Sequence, residues 1–94
     1  MKLKLRAAAV RDLDGIFDYS WATHGAEVAE TYLRDLDGAM ARLLDYPEAG
    51  AATGLRPGVR SLAAREHRIY YRVEGQTVVV ARVLHKAMDV ERHL

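Results

Sequence analysis

The sequence predicts an α+β fold of order β-α-α-β-β-β, with a helical hairpin packed on one face of a small, mainly antiparallel sheet. Three observations predict it. Two long segments with apolar residues at helical spacing meet at Gly25. Three short apolar runs then follow one another with tight connections, as in an antiparallel meander. Ahead of the helices, Met1 to Arg6 alternates Leu3 and Leu5 with Lys2, Lys4 and Arg6, the period-2 pattern of a half-buried strand.

The first helix is expected from about Ala8 to Thr23, where Val10, Leu13, Ile16, Phe17 and Trp21 form an apolar stripe. No Ser, Thr, Asp or Asn precedes it, so its start lacks a side-chain cap. Asp12 and Asp14 suit the positive end of its dipole, and Phe17 and Trp21 are expected in the core. The second helix is expected from about Ala26 to Asp45. Its stripe is Ala29, Tyr32, Leu33, Leu36, Met40, Leu43 and Leu44, and Pro47 ends it because the residue before a proline is pushed out of the helical region. The short connection makes the pair antiparallel.

Residues 47–58, PEAGAATGLRPG, read as a loop rich in Gly, Pro and Ala. Strands follow near Val59 to Ala63, at His67 to Val73 and at Thr77 to His85. With Glu74-Gly75 as a two-residue turn, Val73 pairs with Gln76, Tyr71 with Val78 and Ile69 with Val80. One face then holds Ile69, Tyr71, Val73, Val78, Val80 and Leu84 against the helices. The open face holds Arg68, Tyr70, Arg72, Thr77, Val83 and His85, and a one-residue slip would exchange the two sets.

Ninety-four residues suit one domain, in which a chain this short buries little more than roughly 60% of its unfolded surface. The absence of cysteine removes disulfides and thiolate chemistry and suits a reducing cytoplasm. No stretch approaches the roughly 18 apolar residues of a membrane span. Net charge is +1 but uneven, with eight acids against six Lys/Arg in residues 1–47 and eight Lys/Arg against five acids in 48–94. Within 56–72 stand Arg56, Arg60, Arg65, Arg68 and Arg72 against the single acid Glu66. Such a surface suits an acidic partner or a phosphate backbone, and equally a solvated strand face.

The segment His67-Arg68-Ile69-Tyr70-Tyr71-Arg72-Val73, with Arg82-Val83-Leu84-His85, Met88-Asp89 and Arg92-His93, resembles the C-terminal half of the ParE/RelE superfamily, the toxins of bacterial type II toxin–antitoxin pairs. The likeness favours the ParE branch and agrees with the element order above. It implies a toxin neutralised by a ParD-like antitoxin and acting on DNA gyrase without catalysis. Under that reading the target-binding candidates are Arg68, Tyr70, Arg72, His85, Lys86, Asp89, Arg92 and His93, while Tyr32, Leu33, Leu36, Met40, Arg56 and Arg60 are candidates for the antitoxin surface. The RelE branch implies instead a ribosome-dependent messenger-RNA endonuclease, whose acid/base and cationic groups here would be Arg68, His85 and Lys86. No tyrosine follows Tyr71, and Ala87-Met88 stands where that branch carries a second cation.

Other chemistries find little support. His85, Asp89 and His93 have i, i+4, i+8 spacing, which aligns three ligands only if the tail is helical; polar contacts explain them more simply, and neither metal nor cofactor is expected. Ser20 and Ser61 lack a nucleophile-elbow context, and the glycines of 50–58 precede a strand without the Lys-Ser/Thr ending of a phosphate loop. Neither a membrane nor sequence-specific DNA recognition is expected.

Overall fold

The computed structural model describes residues 1–94. Its elements run β1 (Lys2–Leu5), α1 (Ala7–His24), α2 (Ala26–Asp45), β2 (Ala51–Ala52), β3 (Arg60–Ala64), β4 (His67–Glu74) and β5 (Thr77–His85), followed by a 3₁₀ turn at Val90–Arg92. The sheet has the order β1-β5-β4-β3-β2. β1 lies parallel to β5 and every other pairing is antiparallel. The expected order therefore holds, with β2 added inside the segment read as loop.

Gly25 separates the helices because its φ of 91° breaks the helical path, and its N–H closes α1 on the Trp21 carbonyl at 2.9 Å. α2 buries Ala29, Leu36, Ala39, Met40 and Leu43 against the sheet. These join Ile69, Tyr71, Val78, Val80 and Val83 in the main core. α1 contributes less, because only Ala9 and Ser20 of it are fully buried. Val10 is 44% exposed and Trp21 50%, so the expectation that Trp21 belongs to the core fails. Trp21 instead stacks edge-on against the half-buried Phe17, with ring centroids 5.5 Å apart.

The β4–β5 register differs from expectation in two ways. The turn is Gly75-Gln76, flanked by the pair Glu74 and Thr77; Gly75 takes the positive φ that such a turn needs. That displacement is even, so Ile69, Tyr71, Val78 and Val80 keep their predicted place against the helices. A bulge then inserts Ala81 opposite the Tyr70/Tyr71 step, so Tyr71 pairs with Val80 but Tyr70 with Arg82. Beyond it, faces exchange. Val83 enters the core and His85 sits opposite His67 on the helix side, while Leu84 turns to the other face. The predicted places of Val83, Leu84 and His85 are thus inverted by one extra residue.

The face away from the helices is not bare. Val59, Tyr70 and Leu84 form a second buried cluster, and Val90 and Leu94 of the C-terminal tail pack over it.

Candidate functional site

A groove of about 750 Å³ opens between the helical hairpin and the end of β5. Its shape follows from α1's thin contribution to the core. Ile16 and Tyr19 form one wall, Val28 and Tyr32 of α2 another, and the β3–β4 turn with His85 and Met88 closes the end. Tyr19 is 71% exposed, Val28 46% and Met88 42%, so apolar surface is left facing solvent.

Tyr32 organises the closed end. Its Oη accepts the Glu66 backbone N–H at 3.0 Å and shares a hydrogen bond of 2.6 Å with His67 Nδ1. Burial, and then the neighbouring His85, hold His67 below the ordinary histidine range, so it stays neutral near pH 7. The His67 and His85 rings meet edge to face at 5.3 Å, and His85 Nδ1 accepts the Ala87 N–H at 3.1 Å. Arg65 turns the chain at φ 56°, lays its guanidinium 4.8 Å from the centre of the Tyr32 ring and pairs with Asp35. Beside it Glu66 pairs with Lys86, whose hydrogen bond lowers the Glu66 carboxyl below its usual range.

The opposite wall is fixed by Asp12. β1 ends at Leu5, opposite Val80, which leaves the next stretch of β5 without a neighbour. The Asp12 carboxylate fills that place, accepting the Val83 N–H at 2.9 Å and two bonds from Arg82 at 2.8 Å each. Asp12 thus serves β5, and α1 has no acid in its first turn, contrary to the expected dipole role. The hydrogen bond to Asp12 raises the already high Arg82 pKa. Arg82 also donates to the His93 carbonyl at 3.0 Å, tying the tail to the same point.

The structure separates the predicted site residues. Arg68 and Arg72 lie on the tail-covered face, whereas His85 lies on the helix side, so Arg68, His85 and Lys86 do not converge on one face. Tyr70 is 8% exposed beneath the tail rather than open. Asp89 caps the 3₁₀ turn through Glu91 N–H and pairs with Arg92, and no trio of His, Asp or Glu side chains is placed to hold a metal. Among the expected antitoxin contacts, Leu36 and Met40 are core residues at 0% and 2% exposure, because α2 turns that stripe to the sheet. Leu33 packs on the same core, half-buried, and Tyr32 reaches the groove. Arg56 and Arg60 lie at the other end of β3, around a smaller depression in the 52–60 loop. The groove residues Tyr19, Val28 and Asp12 were missed. For Tyr19 the signal was an α1 with apolar residues on too many sides for one buried stripe.

A family model described as the ParE toxin of the type II toxin–antitoxin system parDE matches residues 3–90. Toxin ParE1 of Mycobacterium tuberculosis is 44% identical over 92 residues, covering 96% of this chain and 94% of that relative. Toxin ParE1 of Caulobacter vibrioides is 37% identical over 92 residues, covering 97% and 95%. Among solved structures, a chain of the chromosomal ParDE system from P. aeruginosa superposes with TM-score 0.81 at 28% identity, over 90% of this chain and 95% of that one. The isolated RelE toxin of E. coli shares the fold, with TM-score 0.59 at 22% identity over 99% and 98%.

Proposed function

Because the chain belongs to the ParE toxin family of type II toxin–antitoxin systems, we propose that it is the toxin of such a pair, neutralised by an antitoxin seated in the groove and directed against DNA gyrase in the cytoplasm. The observation that carries the antitoxin part is the groove itself. Exposed Tyr19, Val28 and Met88 line the cleft, and an amphipathic segment would set its apolar side against them. The P. aeruginosa relative was solved as a ParDE system, which supports a ParD-like partner. Tyr32 remains a contact in this reading; Leu33, Leu36 and Met40 act by supporting the helix beneath.

The gyrase part rests on the family and on the dispersal of groups that RNA cleavage would bring together. Arg68 and His85 point to opposite faces of the sheet, and both His85 and Lys86 already have protein partners. Lys86, Arg92 and His93 stand with the tail as candidate contacts to the target.

The test uses the purified toxin and its cognate antitoxin. Gyrase supercoiling should be inhibited by the toxin and restored by the antitoxin. Hydrogen exchange should slow in α1, at the start of α2 and in the β3–β4 turn on complex formation. Unchanged exchange there would overturn the groove as the antitoxin site. Cleavage of ribosome-bound messenger with gyrase untouched would overturn the target.

A further inference from the structure

Arginines and lysines in the second half of the chain divide into two groups. Arg65, Arg82, Lys86 and Arg92 each pair with a carboxylate, whereas Arg56, Arg60, Arg68 and Arg72 pair with none. Three of the second group are gathered. Arg68 and Arg72 stand four residues apart on one face of β4, and Arg56 lines the depression in the 52–60 loop, whereas Arg60, opposite Tyr71, lies on the helix side and outside the row. Arg72 Nη2 donates to the Pro57 carbonyl at 2.8 Å, which joins the strand to that loop.

We propose that this arginine row is a binding site for the sugar-phosphate backbone of duplex nucleic acid, separate from the groove. Three features support it. Arg72 is held by the Pro57 carbonyl and Arg68 by the Ser61 hydroxyl at 3.3 Å. Neutral acceptors position these guanidiniums while leaving their charge unspent, so little side-chain freedom is lost on binding. The rise of a strand sets Arg68 and Arg72 about 13 Å apart, the length over which a duplex strand presents several phosphates. Tyr70, the aromatic between them, is 8% exposed and so offers no platform for an unstacked base. That favours a paired backbone over a single strand, whose binding relies on stacking.

The experiment is a fluorescence-anisotropy titration of the purified full-length toxin against a labelled duplex of about two helical turns, over a series of salt concentrations. Binding is expected with Kd of about 10⁻⁴ to 10⁻⁶ M at physiological salt, independent of sequence, and with a log–log salt slope of about −3. Arg68→Gln and Arg72→Gln should each flatten the slope by about one, and Arg56→Gln, on an exposed loop, should do so with folding unaffected. Arg42→Gln on α2 should leave it unchanged. A flat salt dependence, or equal losses from Arg42→Gln, would overturn the proposal. So would tighter binding of oligo-dT than of the duplex, or of a poly-glutamate peptide of equal charge, the latter assigning the row to an acidic protein. None of these outcomes bears on gyrase inhibition or on the groove.

Discussion

Asp12 and Arg82, 70 residues apart, close the sheet where its parallel strand runs out. The Asp12 carboxylate binds Arg82 through Nε and Nη2 and takes the Val83 N–H as well. Both side chains are largely shielded, at 14% and 23% exposure. Replacing Asp12 by alanine strands a half-buried guanidinium and an edge N–H together. The expected cost is about 1–3 kcal/mol, read as a lower midpoint in urea unfolding. Arg82→Lys should recover only part of the wild-type stability, since a lysine cannot make the paired bond. A melt unchanged by Asp12→Ala would show that β5 holds its edge without help.

Tyr71 fixes the loop after α2. Its buried hydroxyl donates to the Pro47 carbonyl at 2.7 Å and accepts the Gly50 N–H at 2.9 Å. Gly50 is needed for this approach, because a Cβ there would lie 2.7 Å from the Tyr71 ring and 2.8 Å from the Ser61 carbonyl. Tyr71→Phe should cost about 1–3 kcal/mol by leaving two backbone groups unpaired. Gly50→Ala should also destabilise, and thermal melts of the double variant should show less than the sum, since both changes break one junction.

Much of this fold was legible because its signals are local. Gly25 and Pro47 bracket α2, and the predicted bounds Ala26 to Asp45 are the observed ones. Ile69 and Tyr71 read as core from alternation alone, and both are at 0% exposure. The site was less legible. Ala81 looks like any other strand residue, yet as the bulge it carries His85 to the helix side and Leu84 away from it. No periodicity announces that insertion, because its cause is the fit of two strands to each other. Asp12 was misread for a similar reason: its partner is 70 residues away, whereas the dipole rule looks only along the helix.

The tail is expected to act as part of the sheet's covering. Val90 and Leu94 pack on Val59, Tyr70 and Leu84, and His93 is held through its carbonyl by Arg82. Removing Ala87 to Leu94 should therefore uncover Tyr70 and Leu84 and lower the melting temperature by several degrees. Gyrase inhibition should be lost with it. Antitoxin affinity should fall only by the contribution of Met88, the one tail residue that lines the groove. Calorimetric titration against the antitoxin checks this; complete loss of binding, with the shortened chain still folded by circular dichroism, would place the antitoxin on the tail.

His67 gives the groove a pH dependence whose sign is fixed. Its folded-state pKa is lowered from 6.5, chiefly by burial and then by His85, with the charges of Glu66 and Asp12 opposing the shift. Below pH 6.5 the unfolded chain takes up a proton that the folded chain resists, so the stability due to neutral His67 is present above 6.5 and is lost as pH falls toward the folded value. Protonation would make Nδ1–H the donor to Tyr32 Oη, which also accepts the Glu66 N–H of the β3–β4 turn. Glu66 adds its own loss only at lower pH, because the Lys86 hydrogen bond puts its titration below 4.5. Urea midpoints should accordingly decline as pH falls below 6.5 in the wild type and stay flatter in His67→Gln. Tyr32→Phe should lower stability at neutral pH, because it leaves the Glu66 N–H and His67 Nδ1 without this partner. Equal slopes in wild type and His67→Gln would move the titrating group away from this cluster.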